Sequence, residues 1–264
     1  MPRKKPPCVL TIAGSDSGAG AGIQADARTI QALGGYALTA ITAVTAQNGR
    51  GISAWKAVAP RLVAAQVTGV LDGFPVKAVK TGLLPGAGAV RAVADVLAGY
   101  PGVPLVIDPV IGSTSGTEFL TAAARRILRR ELFPRATLIT PNWPEAEALT
   151  GLPVRSPADA ALAALKLLET GCRAVLVKGG HGRGEVCRDC LALAGGRIRW
   201  FSSRRIATPN THGTGCVLSA AIALALARGE TIEGAVKMAR EFLWKSLKKN
   251  RAVRWKGRGP AFPG

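Results

Sequence analysis

No apolar run in this 264-residue chain reaches the roughly 20 residues that cross a bilayer. VLSAAIALALA (217–227) is too short and stops at Arg228, Gly229 and Glu230, which excludes an integral membrane class and sets a soluble, cytoplasmic protein as the expectation. The start, MPRKKPPCVLTIAGS, is basic, but its apolar segment leads straight into glycines; it reads as an arm (1–7) and a first strand, not a signal peptide. Five cysteines without regular spacing exclude a disulfide framework. Cys187 and Cys190 form one CxxC near His181, yet no second pair supplies zinc-ribbon spacing, and strand or turn positions are the preferred reading over a partial metal site. A P-loop is excluded because G-x-x-x-x-G-K-[ST] is absent. GAGIQA (20–25) satisfies a dinucleotide fingerprint, but the next strand, TAITAVTAQN, has no carboxylate for a ribose. Acid is scarce: 16 Asp and Glu face 35 Lys and Arg, a net charge of +19. That balance speaks of anionic partners rather than fold. Much of it lies in 237–258, with Trp244 and Trp255 interleaved, a pattern that suits nucleic acid or a membrane surface. The favoured reading is an amphipathic helix with Met238, Phe242, Leu243 and Leu247 inward, and the charge suits phosphorylated substrates equally.

What is present is a strict alternation. Strand-like runs at 8–14, 39–47, 78–82, 104–110, 137–142 and 174–180 are separated by Ala- and Leu-rich helical stretches at 20–33, 60–71, 86–99, 119–131, 144–149 and 157–170. A hairpin centred on Gly195–Gly196 breaks the rhythm, and helices at 214–228 and 231–249 close it. Continuous apolar strands covered on both faces predict an α/β fold: a three-layer αβα arrangement with a mostly parallel central sheet. No repeat or composition break divides it, so one domain is expected over 8–248, followed by a basic tail, 249–264. Polar residues and glycines gather at the strand C-terminal ends: Gly14–Ser15–Asp16, Gln47–Asn48, Lys80–Thr81–Gly82, Asp108, Asn142 and Lys178–Gly179–Gly180–His181. Ligands bind at that edge of an open parallel sheet.

Four motifs carry chemistry. In AGSDSGAGAGIQAD (13–26) the glycines let backbone approach a small ligand, with Asp26 either beside it or on a helix surface. THGTGC (211–216) starts a helix whose free N–H groups and dipole form a phosphate cradle. Cys216 is there a nucleophile, a metal ligand, a packed core residue or an acid-base group, and the helix field is expected to lower its pKa. ITPNWPEAEAL (139–149) offers Asn142 and Glu145 as Mg²⁺-type oxygen ligands or as a capping box. In VLVKGGHG (175–182), Lys178 serves phosphate or is a surface lysine.

Those motifs, with ITAVTAQN, resemble in order and spacing the ribokinase-like superfamily, and within it the hydroxymethylpyrimidine/phosphomethylpyrimidine kinases of thiamine biosynthesis; the likeness spans about Cys8 to Leu247. The resemblance implies a ribokinase-like fold without a separate lid domain. It implies ATP- and Mg²⁺-dependent phosphorylation of a pyrimidine hydroxymethyl group and then of the monophosphate, and a homodimer. It places Cys216 as the acid-base residue beside a cradle of Gly213, Thr214 and Gly215, with Lys178 on the transferred phosphate. Substrate would meet Gln47, Asp26, Gly14, Val110, Leu83 and His212; nucleotide would meet Lys178, Gly179, Thr208 and Asn142; metal would meet Glu145, Asn142 and Asp108. The chain departs from that family in its 111–117 loop, with Ser113 and Thr114 where a lysine is common, in Leu83 for methionine, and in GRGPAFPG for the usual C-terminal signature. Pyridoxine/pyridoxal kinase activity is the alternative, followed by a non-catalytic regulatory or nucleic-acid-binding protein using the tail.

Overall fold

Period-two burial of β-branched and aliphatic residues builds the centre of the molecule. In the computed structural model, which describes residues 5–112, 116, 118–182, 184–262 and 264, nine strands form one sheet. They are β1 (Cys8–Asp16), β2 (Tyr36–Asn48), β3 (Gly51–Ala57), β4 (Val76–Thr81), β5 (Leu105–Ile107), β6 (Leu138–Ile139), β7 (Ala174–Val177), β8 (Val186–Leu193) and β9 (Ile198–Arg204). Their order is β3-β2-β1-β4-β5-β6-β7-β8-β9. The six from β2 to β7 pair in parallel, and antiparallel β3, β8 and β9 extend the two edges. The arm's first four residues, and Ser113 and Thr114, lie outside the described residues.

Alternate side chains of one strand enter different cores. Leu10, Ile12, Val79, Leu105, Ile107, Val175 and Val177 pack under α2 (Pro60–Gly73), α3 (Gly86–Ala98) and α6 (Pro157–Leu168). Val9, Ala78, Val106, Leu138, Ala174 and Leu176 pack on the opposite face, under α1 (Gly22–Ala32), α7 (Thr214–Ala227) and α8 (Ile232–Asn250). Every residue of α7 from Val217 to Leu226 is buried, as its apolar circumference requires. The expected three layers are therefore present.

Several boundaries differ from expectation. The strand expected over 104–110 is only three residues, because Pro104 and Pro109 flank it. The helix expected over 119–131 begins at Ala122, as α4 (Ala122–Ile127), and continues as a π turn through Leu132 before Pro134 helps end it. β3 carries mainly exposed residues, so apolar runs did not reveal it; the signal was NGRG followed by a short alternating segment.

The last residues are stitched to the body. Asn210 donates from Nδ2 to Asn250 O (2.7 Å) and Val253 O (2.9 Å), and Ser246 Oγ donates to Ala261 O (2.6 Å). His212 N donates to Gly259 O (3.0 Å), and Ala261 N to His212 O (2.8 Å). Arg258 N donates to Gly49 O (2.7 Å) in the β2–β3 turn. Ala261 is fully buried and Phe262 packs edge-on against Phe242. Asn210→Ala strips the donor from two backbone carbonyls, a loss of about 1–3 kcal/mol. Thermal unfolding should show a lower Tm with unchanged far-UV dichroism; an unaltered Tm contradicts the stitching.

Candidate active site

The carboxyl ends of β1, β4, β5, β6 and β7 open into one cavity of about 760 Å³. Gly14, Gln47, Leu83, Asp108, Val110, Asn142, Glu145, Lys178, His212, Gly213, Thr214, Gly215 and Cys216 all line it, so the structure unites most of the residues expected at the site. Three are elsewhere. Asp26 is fully buried behind the wall, where it accepts from Thr11 Oγ1 (2.5 Å) and Lys80 Nζ (2.7 Å). Gly179 sits under the cavity with its N–H on Asp189 Oδ1 (2.6 Å), and its neighbour Gly180 reaches the surface. Thr208 donates to Arg251 O (3.4 Å) and accepts from Asn210 N (3.1 Å), holding the tail rather than the cavity.

Local sequence explains the rest. Gly213 caps α7 in the left-handed region (φ 79°), which turns the THGTG loop so that the helix N-terminus faces the cavity. At Gly215 a Cβ would lie 3.1 Å from Lys178 Nζ and 3.2 Å from Asp108 Oδ2, so glycine lets the cradle approach both charges. Lys178 Nζ meets Asp108 Oδ1 at 2.7 Å and Glu145 Oε2 at 3.9 Å. Burial disfavours the Asp108 carboxylate, but Lys178, Lys80 and the Thr140 hydroxyl outweigh it and hold the group below its ordinary value. Burial pushes Glu145 up to about 7, opposed by Lys178 and reinforced by Asp108.

Asn142 and Glu145 form the capping box of α5 (Trp143–Thr150): Asn142 Oδ1 accepts from Glu145 N (2.9 Å), and Glu145 Oε2 from Asn142 N (2.7 Å). That commits one oxygen of each and leaves Glu145 Oε1 and Asp108 Oδ2 as free hard donors. No group of three or more His, Cys, Asp or Glu suited to a metal occurs among the described residues. Two carboxylates fit a Mg²⁺ ion that keeps its waters and shares phosphate oxygens. Cys187 and Cys190 are positions on β8, with Cys190 buried in the core.

The end of the cavity around Gln47 and His212 is closed by a small network. His212 Nε2 lies 2.8 Å from Asp16 Oδ2 and 3.1 Å from Gln47 Nε2. Asp16 also accepts from Gly18 N and Ala21 N (both 2.8 Å). Burial works against its charge, but His212 and these amides keep its pKa lowered. Ser17 Oγ and the Gln47 backbone bond each other in both directions (2.9 and 2.7 Å). Asp16 and Lys80 stood only as polar strand ends in the sequence; the pairing of Asp16 with His212 and of Lys80 with Asp26 are tertiary facts. Lys80 is fully buried yet reaches the cavity wall, and the Asp26 and Asp108 carboxylates outweigh burial to keep it an ammonium.

Cys216 corrects an expectation. Its thiol is not lowered by the helix terminus: burial pushes it up to about 12, with Lys80 opposing and Asp26 and Asp108 adding to the rise. The neutral thiol is therefore the resting form near neutral pH. Site-resolved alkylation should show Cys216 labelling still climbing steeply above pH 10; a plateau near pH 8 contradicts this.

Comparison with known proteins gives a consistent likeness. The sequence profile described as phosphomethylpyrimidine kinase matches residues 16–261. A hydroxymethylpyrimidine/phosphomethylpyrimidine kinase of Haemophilus influenzae is 43% identical over 242 residues, 90% of each chain. Among solved structures, a phosphomethylpyrimidine kinase of Clostridium difficile 630 superposes with a TM-score of 0.80 at 36% identity, covering 91% of this chain and 99% of its own. An ADP complex of Bacillus subtilis pyridoxal kinase superposes at 0.89 with 33% identity, covering 97% and 98%.

Proposed function

The chain belongs to the phosphomethylpyrimidine kinase family, and from that premise we propose how its residues divide the work. It is an ATP-using phosphotransferase of thiamine biosynthesis, acting on hydroxymethylpyrimidine and its monophosphate. One observation carries the residue assignment: the Asp108–Lys178 pair and the glycine cradle of α7 meet at one point of the cavity, with Gln47 and His212 at its other end.

Phosphoryl transfer has a loose transition state with charge spread over the equatorial oxygens, so positioning and electrostatics dominate. The N–H groups of Gly213, Thr214 and Gly215 face that charge, assisted by the α7 dipole. Lys178 contacts the transferred group, steadied by Asp108. When bound, Mg²⁺ supplies charge neutralisation at the phosphates, and Asp108 and Glu145 are the residues that would hold it through water. Gln47 and His212 orient the aminopyrimidine, with Leu83 and Val110 on its faces and the Gly14 backbone beneath. Asp26 acts from behind the wall by fixing Lys80. The family relationship also suggests a cytoplasmic homodimer, which gel filtration with light scattering would test.

Cys216 serves as a neutral thiol. A permanent carboxylate at that position would repel the monophosphate acceptor of the second step, and a phosphate nucleophile needs no base. Cys216→Asp should keep part of the first transfer and lose the second disproportionately, read as separate turnover of the alcohol and the monophosphate. Equal losses would sink the idea.

The overall reading is checked by chromatography after incubation with ATP, Mg²⁺ and hydroxymethylpyrimidine, with pyridoxal in parallel. Both mono- and pyrophosphate are expected; pyridoxal phosphate as the only product would move the activity to the B6 kinases.

A further inference from the structure

The two transfers differ in one respect that a cavity must recognise: the first acceptor is a neutral alcohol, and the second, on the function proposed above, carries a phosphomonoester. Most cations at the cavity already have partners. Lys80 is bound to Asp26, Lys178 to Asp108 and Arg240 to Asp189, while Arg205 donates to the carbonyls of Gly180, Gly182 and Gly184. Of the cavity-lining arginines, Arg50, Arg204 and Arg258 have no side-chain hydrogen bond or ion pair among the described residues. Arg204 stands on β9, beside Trp244, whose Nε1 donates to its carbonyl. That leaves Arg50 and Arg258 near the substrate end.

Arg258 is held in place by its neighbours on both sides. Its own N–H is fixed to Gly49 O at 2.7 Å, two residues after Gln47. The next residue, Gly259, accepts from His212 N at 3.0 Å, and Ala261 N returns to His212 O at 2.8 Å. His212 opens directly into the Gly213–Gly215 cradle. The stretch from Gly257 to Ala261 therefore spans from the loop after Gln47 to the phosphate cradle, with Arg258 between them. The join is close: a Cβ on Gly49 would lie 2.8 Å from Arg258 O, and Gly257 takes φ 116°, a glycine conformation, against Gly49. Arg258 also adds to the positive field that, after burial and together with Lys178 and Arg205, lowers the His181 imidazole. His181 and Arg258 line the same cavity.

We propose that Arg258 recognises the phosphate of the monophosphate acceptor, making it a specificity-determining residue of the second transfer. A guanidinium with no internal partner offers a bidentate fork that matches a phosphomonoester dianion and gains nothing from a hydroxymethyl group. The tail supplies this charge from outside the parallel core, so the alcohol site is complete without it. Arg50, whose backbone adjoins Gly257, is the secondary cation.

The test measures kcat/KM for the alcohol and for the monophosphate, each at saturating ATP, and KM for ATP in both reactions. Wild type, Arg258→Ala and Arg258→Lys are compared, with Tm recorded for each. Both substitutions keep the backbone N–H to Gly49, so the stitch survives. Arg258→Ala should lose at least tenfold more kcat/KM on the monophosphate than on the alcohol, through KM, and Arg258→Lys should recover part of it. Equal losses on both acceptors, a rise confined to KM for ATP, or no loss would each overturn the proposal while leaving the kinase function intact. A wild-type enzyme that turns over neither pyrimidine would overturn the functional reading itself, and the proposal with it.

Discussion

Two lysines at the carboxyl ends of two parallel strands, β4 and β7, must keep their charge away from bulk water, and the surrounding structure answers that need. Lys80 is fully buried and pairs with Asp26 of α1 at 2.7 Å. Lys178 follows β7 and pairs with Asp108 after β5, also at 2.7 Å. An unpaired charge at such depth costs several kcal/mol, so one pair ties α1 to β4 and the other ties the end of β7 to the end of β5 across β6. Gly82 and Gly215 leave the room these ammonium groups occupy: a Cβ at either position would lie 2.8 Å from Lys80 Nζ or 3.1 Å from Lys178 Nζ. The pairing is what brings the start of α7 within reach of charge.

Function follows from how this positive potential is shared. In the proposed reaction Lys178 would face the transferred phosphate and Lys80 would back the thiol, while the glycine cradle would supply oriented dipoles that need no reorganisation. Burial, reinforced by the Asp26 and Asp108 carboxylates, keeps Cys216 protonated, and on the proposed function a neutral thiol there would spare an anionic acceptor the repulsion of a fixed carboxylate. The final segment then adds charge at the rim, stitched to His212 and Gly49. Part of the basic balance of the chain thus lies at the cavity, where five arginines line the wall.

Much of this was legible in the residues. The alternation of apolar strands and Ala-rich helices foretold the three layers, because both faces of a parallel sheet must be covered. The strand ends foretold the cavity, since Gly14, Asp108, Asn142 and Lys178 stand at the edge where such sheets bind ligands. What stayed hidden was set by distance in sequence. Lys80 meets Asp26 from 54 residues away, and His212 meets Asp16 from 196, and neither spacing has a local signature. The Cys216 thiol was misread for a related reason: the helix dipole is visible in the sequence, whereas burial between two carboxylates is not. β3 escaped because an exposed edge strand lacks an apolar run.

The central claim is that the Asp108–Lys178 pair beside the α7 cradle is where nucleotide phosphate is held. Calorimetric titration of a non-hydrolysable ATP analogue with Mg²⁺ into wild type and Lys178→Met tests it most directly. The substitution removes the cation and leaves Asp108 and Glu145 facing the phosphates, so affinity should fall by roughly tenfold or more, the size of one charge-assisted hydrogen bond. Equal affinity in a folded Lys178→Met protein would place the phosphates elsewhere and contradict the account.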